Sequence, residues 1–195
     1  VLAGGGSRRF GSPKALATFR GEALWARAER ALSDLGLPVV VLANDPVVAD
    51  AIGADVRADE RPDRGPLAGI ETGLIEARDR GLRGILVLAC DLVLVESETI
   101  DRLVRAWPET GAVAFTAPGP WGVEPLCAIW GVDLLERVTE ALDDGRGSPG
   151  ELLLGVDHQR VEARREGRSE QGIGLFRSVN RPEDLADLAA RARTP

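Results

Sequence analysis

Gly4, Gly5 and Gly6 come directly after Val1-Leu2-Ala3 and are followed by Arg8, Arg9 and Lys14, a pattern suited to holding a polyanion. Three glycines in succession let the backbone reach φ values closed to other residues, so neighbouring N–H groups converge on a phosphate with no Cβ in the way. The basic side chains then supply full charges. Residues 1–20 carry four basic side chains and no acidic one, in a chain with 24 basic and 31 acidic residues and a net charge of −7. Positive charge is thus concentrated where it would steer an anion. Lys14 is the only lysine, the other 23 basic residues being arginine, which points to a need for a compact ammonium there.

Asp91 is the second residue with chemistry in it. It follows the apolar run Gly84-Ile85-Leu86-Val87-Leu88-Ala89-Cys90, and a carboxylate at the C-terminal tip of a central strand can hold a hard cation such as Mg²⁺ over phosphates. Asn44 ends the run Pro38-Val39-Val40-Val41-Leu42 in the same way, and ligands bind beyond the carboxyl ends of strands in open α/β sheets. Gly69, inside a predicted helix, costs roughly 1 kcal/mol against alanine, so close packing or a close ligand is its reason. Two familiar phosphate loops are excluded. Lys14 lies between Pro13 and Ala15, where a P-loop needs Gly before and Ser or Thr after, and Arg9 stands where the dinucleotide fingerprint needs glycine.

The elements that position these residues alternate strand and helix. Leu24, Ala28, Ala31, Leu32 and Leu35 recur at helical spacing, predicting a helix over 22–35 with Gly36 as its stop. A strand over 38–42 is expected next, then a short helix at 46–52, a strand near 55–57 and the polar loop 59–64. Pro66 suits the first turn of a helix reaching Arg80. The buried strand 84–89 is followed by a helix from Glu98 to Trp107 with Ser97 as N-cap. Strands at 111–116 and 124–130, a helix over 132–142, a turn-rich segment 143–148, a small strand at 158–163 and a final helix from Pro182 to about Ala192 complete the order. The fold class is α/β, a single Rossmann-like three-layer domain on a mostly parallel central sheet.

Composition sets limits. With 195 residues, 44% of them hydrophobic, the chain can bury one good core, and no apolar run approaches the length of a membrane span. The acidic balance and 4% aromatic content exclude a basic nucleic-acid surface with stacking rings. Cys90 and Cys127 form no C-x-x-C, and with no signal peptide visible the expected compartment is the cytoplasm. Val1 already stands inside the expected first strand, and whether residues precede it stays open. His158, the sole histidine, reads as a surface or packing residue. Arg160, Arg164, Arg165 and Arg168, interleaved with Glu162, Glu166 and Glu170, read as a solvated face.

The opening stretch resembles the L-A-G-G-x-S-x-R-(M/F)-G-x-x-K signature of nucleotidyltransferases, which carry a nucleoside triphosphate on a Rossmann-like sheet of the nucleotide-diphospho-sugar transferase type. Gly65-Pro66-Leu67-Ala68-Gly69 resembles the second motif of one subfamily, the molybdenum cofactor guanylyltransferases, where it lies beside the guanine. Cys90-Asp91-Leu92-Val93 resembles their Cys-Asp-x-Pro with Val93 in the proline's place. The run from Glu124 to Trp130 resembles their P-L-x-A-(L/I)-(Y/W) strand. Phe176 to Leu185 resembles their closing F-x-N-(I/V)-N-T-P-E-D-L motif, with Ser178 and Arg181 replacing an Asn and the Thr.

The resemblance implies transfer of GMP from GTP to the terminal phosphate of molybdopterin cofactor, with release of pyrophosphate. It implies Gly4, Gly5 and Gly6 around the β and γ phosphates, Arg9 and Lys14 on the leaving charge, and Asp91 as catalytic residue and Mg²⁺ ligand. Leu2, Ala3 and Asp59, with Asn44, Gly65 and Gly69, would line the nucleoside pocket, and Asn180 would face the second substrate. Residues 1–116 would be mainly the nucleotide half and 117–195 mainly the cofactor half. A cofactor-inserting protein or an apo-molybdoenzyme would be the partner. Two alternatives stay open: a cytidylyl or sugar-phosphate nucleotidyltransferase of the same fold, and a non-catalytic paralogue that carries nucleotide or cofactor.

Overall fold

The computed structural model describes residues 1–4, 10–53, 56–117, 120–162 and 174–191. In chain order the elements are β1 (Thr18–Phe19), β2 (Glu22–Ala23), α1 (Leu24–Ser33), β3 (Val41–Leu42), α2 (Pro46–Ile52), β4 (Val56–Arg57), α3 (Pro66–Asp79), β5 (Gly84–Leu88), α4 (Ser97–Ala106), β6 (Ala112–Thr116), β7 (Val123–Gly131), α5 (Leu135–Asp143), α6 (Pro149–Leu154), β8 (His158–Val161) and α7 (Pro182–Arg191).

The central sheet is mixed. Strands β5, β7, β6 and β8 lie side by side in that order, β3 pairs with β4, and the segment Val1–Ala3 joins the two groups. Leu2 bridges in parallel to Leu42 on one side and Ala89 on the other. Leu2 N donates to Leu88 O and Ala3 N to Leu42 O, both at 2.9 Å. β7 alone runs against its neighbours, pairing Gly84 with Gly131 and Ala112 with Trp130, while β6 and β8 are parallel. The mostly parallel sheet expected from the apolar runs therefore holds, with one reversed strand.

Side chains on the two faces of this sheet build separate cores. Leu24, Ala28, Ala31 and Leu32 of α1 and Ile100 and Leu103 of α4 cover one face. Leu67, Ile70 and Leu74 of α3 with Val138, Ala141 and Leu142 of α5 cover the other. Helical spacing aligns each set, and burying one such aliphatic side chain contributes about 1.5–3 kcal/mol. α3 is buried nearly all round, between the sheet and α5.

Several expectations need correction. The helix expected from Glu22 begins at Leu24, because Glu22–Ala23 pairs with Thr18–Phe19 as a hairpin. Its two turn residues, Arg20 and Gly21, both have positive φ, 54° and 82°, the geometry whose twist matches a two-residue hairpin. Ser97 is the first helical residue and not the N-cap, which is Glu96. The strand expected from Pro38 is reduced to Val41–Leu42. Helix α6, placed by Pro149 at its first position and by Ser148 Oγ accepting from Glu151 N, was not anticipated. No helix among the described residues is long and apolar enough to cross a membrane.

Candidate functional site

The carboxyl ends of β3, of the segment Val1–Ala3 and of β5 open on one edge of the sheet, and the candidate residues gather there. Gly4 leaves the sheet close to the backbone of Leu42 and Asn44. Lys14 opens a single 3-10 turn, Lys14–Leu16, and its Nζ donates to Asp91 Oδ2 at 2.6 Å. Both side chains keep nearly a fifth of their surface exposed, 19% and 18%, so a ligand can reach the pair. Gly5, Gly6, Arg8 and Arg9 lie outside the described residues, as do Arg164, Arg165 and Arg168.

Asp91 is held from both sides. Cys90 N donates to Leu2 O, and Val179 N donates to Asp91 O, each at 3.1 Å, which brings the closing segment to the strand tip. Val93 is buried, and its carbonyl accepts from Nε of buried Arg27 at 2.6 Å. The same guanidinium pairs with Glu22 and Glu96 at 3.5 and 3.3 Å. An arginine from α1 thus fixes the loop after the carboxylate. Burial pushes the Cys90 thiol up to about 12 and the Cys127 thiol up as well, so neither offers a thiolate nucleophile at neutral pH.

A second group of residues lies on the α3 side. Asn44 Nδ2 donates to Asp59 Oδ2 at 2.7 Å, and Asp59 N donates back to Asn44 Oδ1 at 2.8 Å. Burial pushes the Asp59 carboxyl above the ordinary aspartate range, an effect opposed by the hydrogen bond from Asn44. A Cβ at Gly69 would stand 2.7 Å from Leu2 Cδ2 and 3.4 Å from Asp59 Oδ1. Gly69 therefore serves tight packing of helix on strand and clears the space over Asp59 at once. Gly65 has φ 74° at the N-cap of α3, a conformation that favours glycine. Leu2, Asn44, Asp59 and Gly69 are brought together, while Lys14 and Asp91 form their own pair across the Leu2–Gly4 segment.

Asn180 is exposed; its backbone N and that of Arg181 both donate to Asp184 Oδ2 at 2.8 Å. These two bonds hold the Asp184 carboxyl below its ordinary value. Such a carboxylate stabilises the fold fully above the unfolded value of 3.8 and loses that contribution as pH falls through its lowered folded value. Asp184→Asn is accordingly expected to be less stable than the parent at neutral pH and to lose less on acidification, a difference read from urea midpoints across the acid range.

Sequence reasoning passed over Glu124, Arg61 and Glu71. Glu124 sits at the start of β7, accepts from Leu126 N at 3.0 Å, and is pushed up by burial with a smaller effect of the neighbouring Asp91 charge. Its position in an apolar strand was the available signal. His158 Nδ1 lies 3.0 Å from Val156 O, away from these residues, in keeping with a packing role.

The arrangement offers a cation and a carboxylate beside Gly4 for phosphates on one side, and an oriented carboxylate for a donor-rich base on the other. Comparison with known proteins agrees with it. Residues 1–160 match the family described as MobA-like NTP transferase domain. A probable molybdenum cofactor guanylyltransferase of Opitutus terrae is 35% identical over 186 residues, 94% of this chain and 90% of the relative. The molybdenum cofactor guanylyltransferase of Pseudomonas aeruginosa is 32% identical over 192 residues, 96% and 91% of the two chains. Among solved structures, molybdopterin-guanine dinucleotide biosynthesis protein A of Archaeoglobus fulgidus superposes with TM-score 0.75 at 21% identity, covering 100% of this chain and 97% of that one. The 2-C-methyl-D-erythritol 4-phosphate cytidylyltransferase of Thermus thermophilus has the same fold, with TM-score 0.67 at 20% identity over 99% and 98% of the chains. With the sequence signature, the mixed sheet and two relatives above 30% identity in agreement, the chain belongs to the MobA-like NTP transferases and, within them, to the molybdenum cofactor guanylyltransferases.

Proposed function

We propose that this protein transfers GMP from GTP to the terminal phosphate of molybdopterin cofactor. A phosphate oxygen of the cofactor bonds to the α-phosphorus as the α–β bridging bond breaks, and pyrophosphate leaves. A phosphomonoester is already ionised near neutrality, so no histidine base is needed, and catalysis is positioning and charge stabilisation. The observation that carries this reading is the placement of Lys14–Asp91 and of Asn44–Asp59–Gly69 on opposite sides of the Leu2–Gly4 segment.

Gly4, Gly5 and Gly6 cradle the β and γ phosphates, and Arg9 and Lys14 meet the charge on the leaving pyrophosphate. Leu2, Ala3, Gly65 and Gly69 shape the nucleoside pocket, and Asp59, oriented by Asn44, accepts from the base. Asn180 faces the cofactor, with residues 1–116 serving the nucleotide and 117–195 mainly the second substrate. Asp91 fits a Mg²⁺ ligand, since its carboxylate is solvent-accessible and already draws a cation to 2.6 Å, and such sites take one or two carboxylates with phosphate oxygens and water completing the shell. When bound, the ion supplies charge neutralisation on the triphosphate. The setting is the cytoplasm, where GTP is available, and the product passes to a cofactor-inserting protein or an apo-molybdoenzyme.

The test is a thermal-shift panel of GTP, CTP, UTP and ATP, each with Mg²⁺. A ligand specific for the folded state adds roughly 2.7 kcal/mol at a hundredfold excess over Kd, and GTP is expected to give the largest shift. A larger shift with CTP would move the assignment to cytidylyl transfer.

A further inference from the structure

Glu71 is a carboxylate inside α3 with only 3% of its side chain exposed, and the proposed chemistry does not use it. Its Oε2 stands 3.0 Å from Arg61 Nε, and its Oε1 accepts from Thr139 Oγ1 of α5 at 2.9 Å. Arg61 reaches on through Nη1 to Asp143, the last residue of α5. Three residues further along the same loop, Arg64 donates to the Leu142 carbonyl. Burying a carboxylate costs several kcal/mol unless it is paired and hydrogen-bonded. A salt bridge of this kind is weak grounds for stability, and its best-attested use is to fix one arrangement among several.

The loop so fixed is the one that carries Asp59. Its residues are anchored in succession: Asp59 N on Asn44, Glu60 N on Thr72 Oγ1 at 2.9 Å, and Arg61 on Glu71 and Asp143. Beyond it, a Cβ at Gly147 would lie 3.3 Å from Arg64 O, so the loop also abuts the turn after α5. We infer that Arg61, held between Glu71 and Asp143, is a specificity-determining positioning residue, which sets the carboxylate of Asp59 for the base and ties that setting to the end of α5. This rests on the guanylyl-transfer reading. Arg61 acts without touching the nucleotide, because the single residue Glu60 separates it from Asp59 and all three are anchored.

Misplacement of a group by about 1 Å can cost about a hundredfold, so loss of the clamp should blur base selection before it lowers turnover. The experiment measures equilibrium Kd for GTP and for ATP, each with Mg²⁺, and kcat at saturating GTP, in the parent, Glu71→Gln, Arg61→Lys and the double variant Arg61→Met/Glu71→Gln. The double variant leaves no unpaired charge in the interior and is the deciding form. Its ATP-to-GTP Kd ratio is expected to fall by about tenfold with kcat within about threefold of the parent. Asp143→Asn, which keeps an oxygen for Arg61 Nη1 at the exposed end, should lower the ratio in the same direction but by less. An unchanged ratio with a lowered Tm overturns the inference and leaves the clamp a structural brace. Arg61→Lys, which keeps the charge beside Glu71 but loses the fork, decides in the same way should the double variant be unfolded. A parent with no preference for GTP overturns the guanylyl reading, and the clamp's role with it.

Discussion

Lys14→Ala is expected to lower kcat with GTP by about a hundredfold to a thousandfold, which is the effect of removing one preorganised donor from developing charge, about 2.7–4 kcal/mol. Lys14→Arg keeps the charge but carries it on a longer planar fork, which cannot occupy the position of the compact ammonium beside Asp91. A loss of at least about tenfold is expected there too. The ion pair is partly exposed, so its contribution to the ligand-free fold is at most about 1 kcal/mol, a Tm change of roughly 2–4 °C in a chain of this size. Asp91→Asn should follow Lys14→Ala and also lose most of its response to Mg²⁺. Pyrophosphate release with purified cofactor is the measurement. Turnover near the parent's in Lys14→Ala would remove the lysine from the mechanism.

Asp59→Ala carries the second large effect, on choice of base. Guanine presents N1–H and a 2-amino group side by side, two donors that one carboxylate can accept; adenine presents no such pair. A hydrogen bond to a charged group contributes about 1.5–3 kcal/mol, so kcat/KM for GTP is expected to fall by about tenfold to a hundredfold, with that for ATP nearly unchanged. ITP, which keeps N1–H but lacks the 2-amino group, should lose less than GTP and more than ATP. Equal losses for GTP and ATP would mean that Asp59 shapes the pocket without reading the base.

The strongly patterned elements were legible in the sequence. Pro66 and the apolar spacing after it place α3, the run 84–89 places β5, and Asp45-Pro46 places α2, whose N-cap Asp45 accepts from Val47 N. The hairpin at 18–23 escaped because its two-residue strands are too short for any period, although Arg20-Gly21 was a turn signal. On the nucleotide side, Lys14 and Asp91 could be chosen from charge, strand ends and glycine spacing. Asp59 could be chosen only by resemblance, since its bond to Asn44 joins residues far apart in the chain. Glu71, an acidic residue inside a predicted helix, had nothing local to single it out. Only the packing of α5 over α3 turns that face inward, and no local pattern records it.

The seam at Leu2 also bears on the order in which the molecule can assemble. Val1 and Ala3 bond to Leu42, and Leu2 to Leu88 and Cys90, contacts that close long loops and are therefore slow to form. Gly4 leaves directly from this seam, so its surroundings are incomplete until Gly84–Leu88 is in place. During synthesis, Leu2 would wait for the residues through Leu88 before acquiring both neighbours. Competence to hold a triphosphate then arrives late, as a property of the closed sheet.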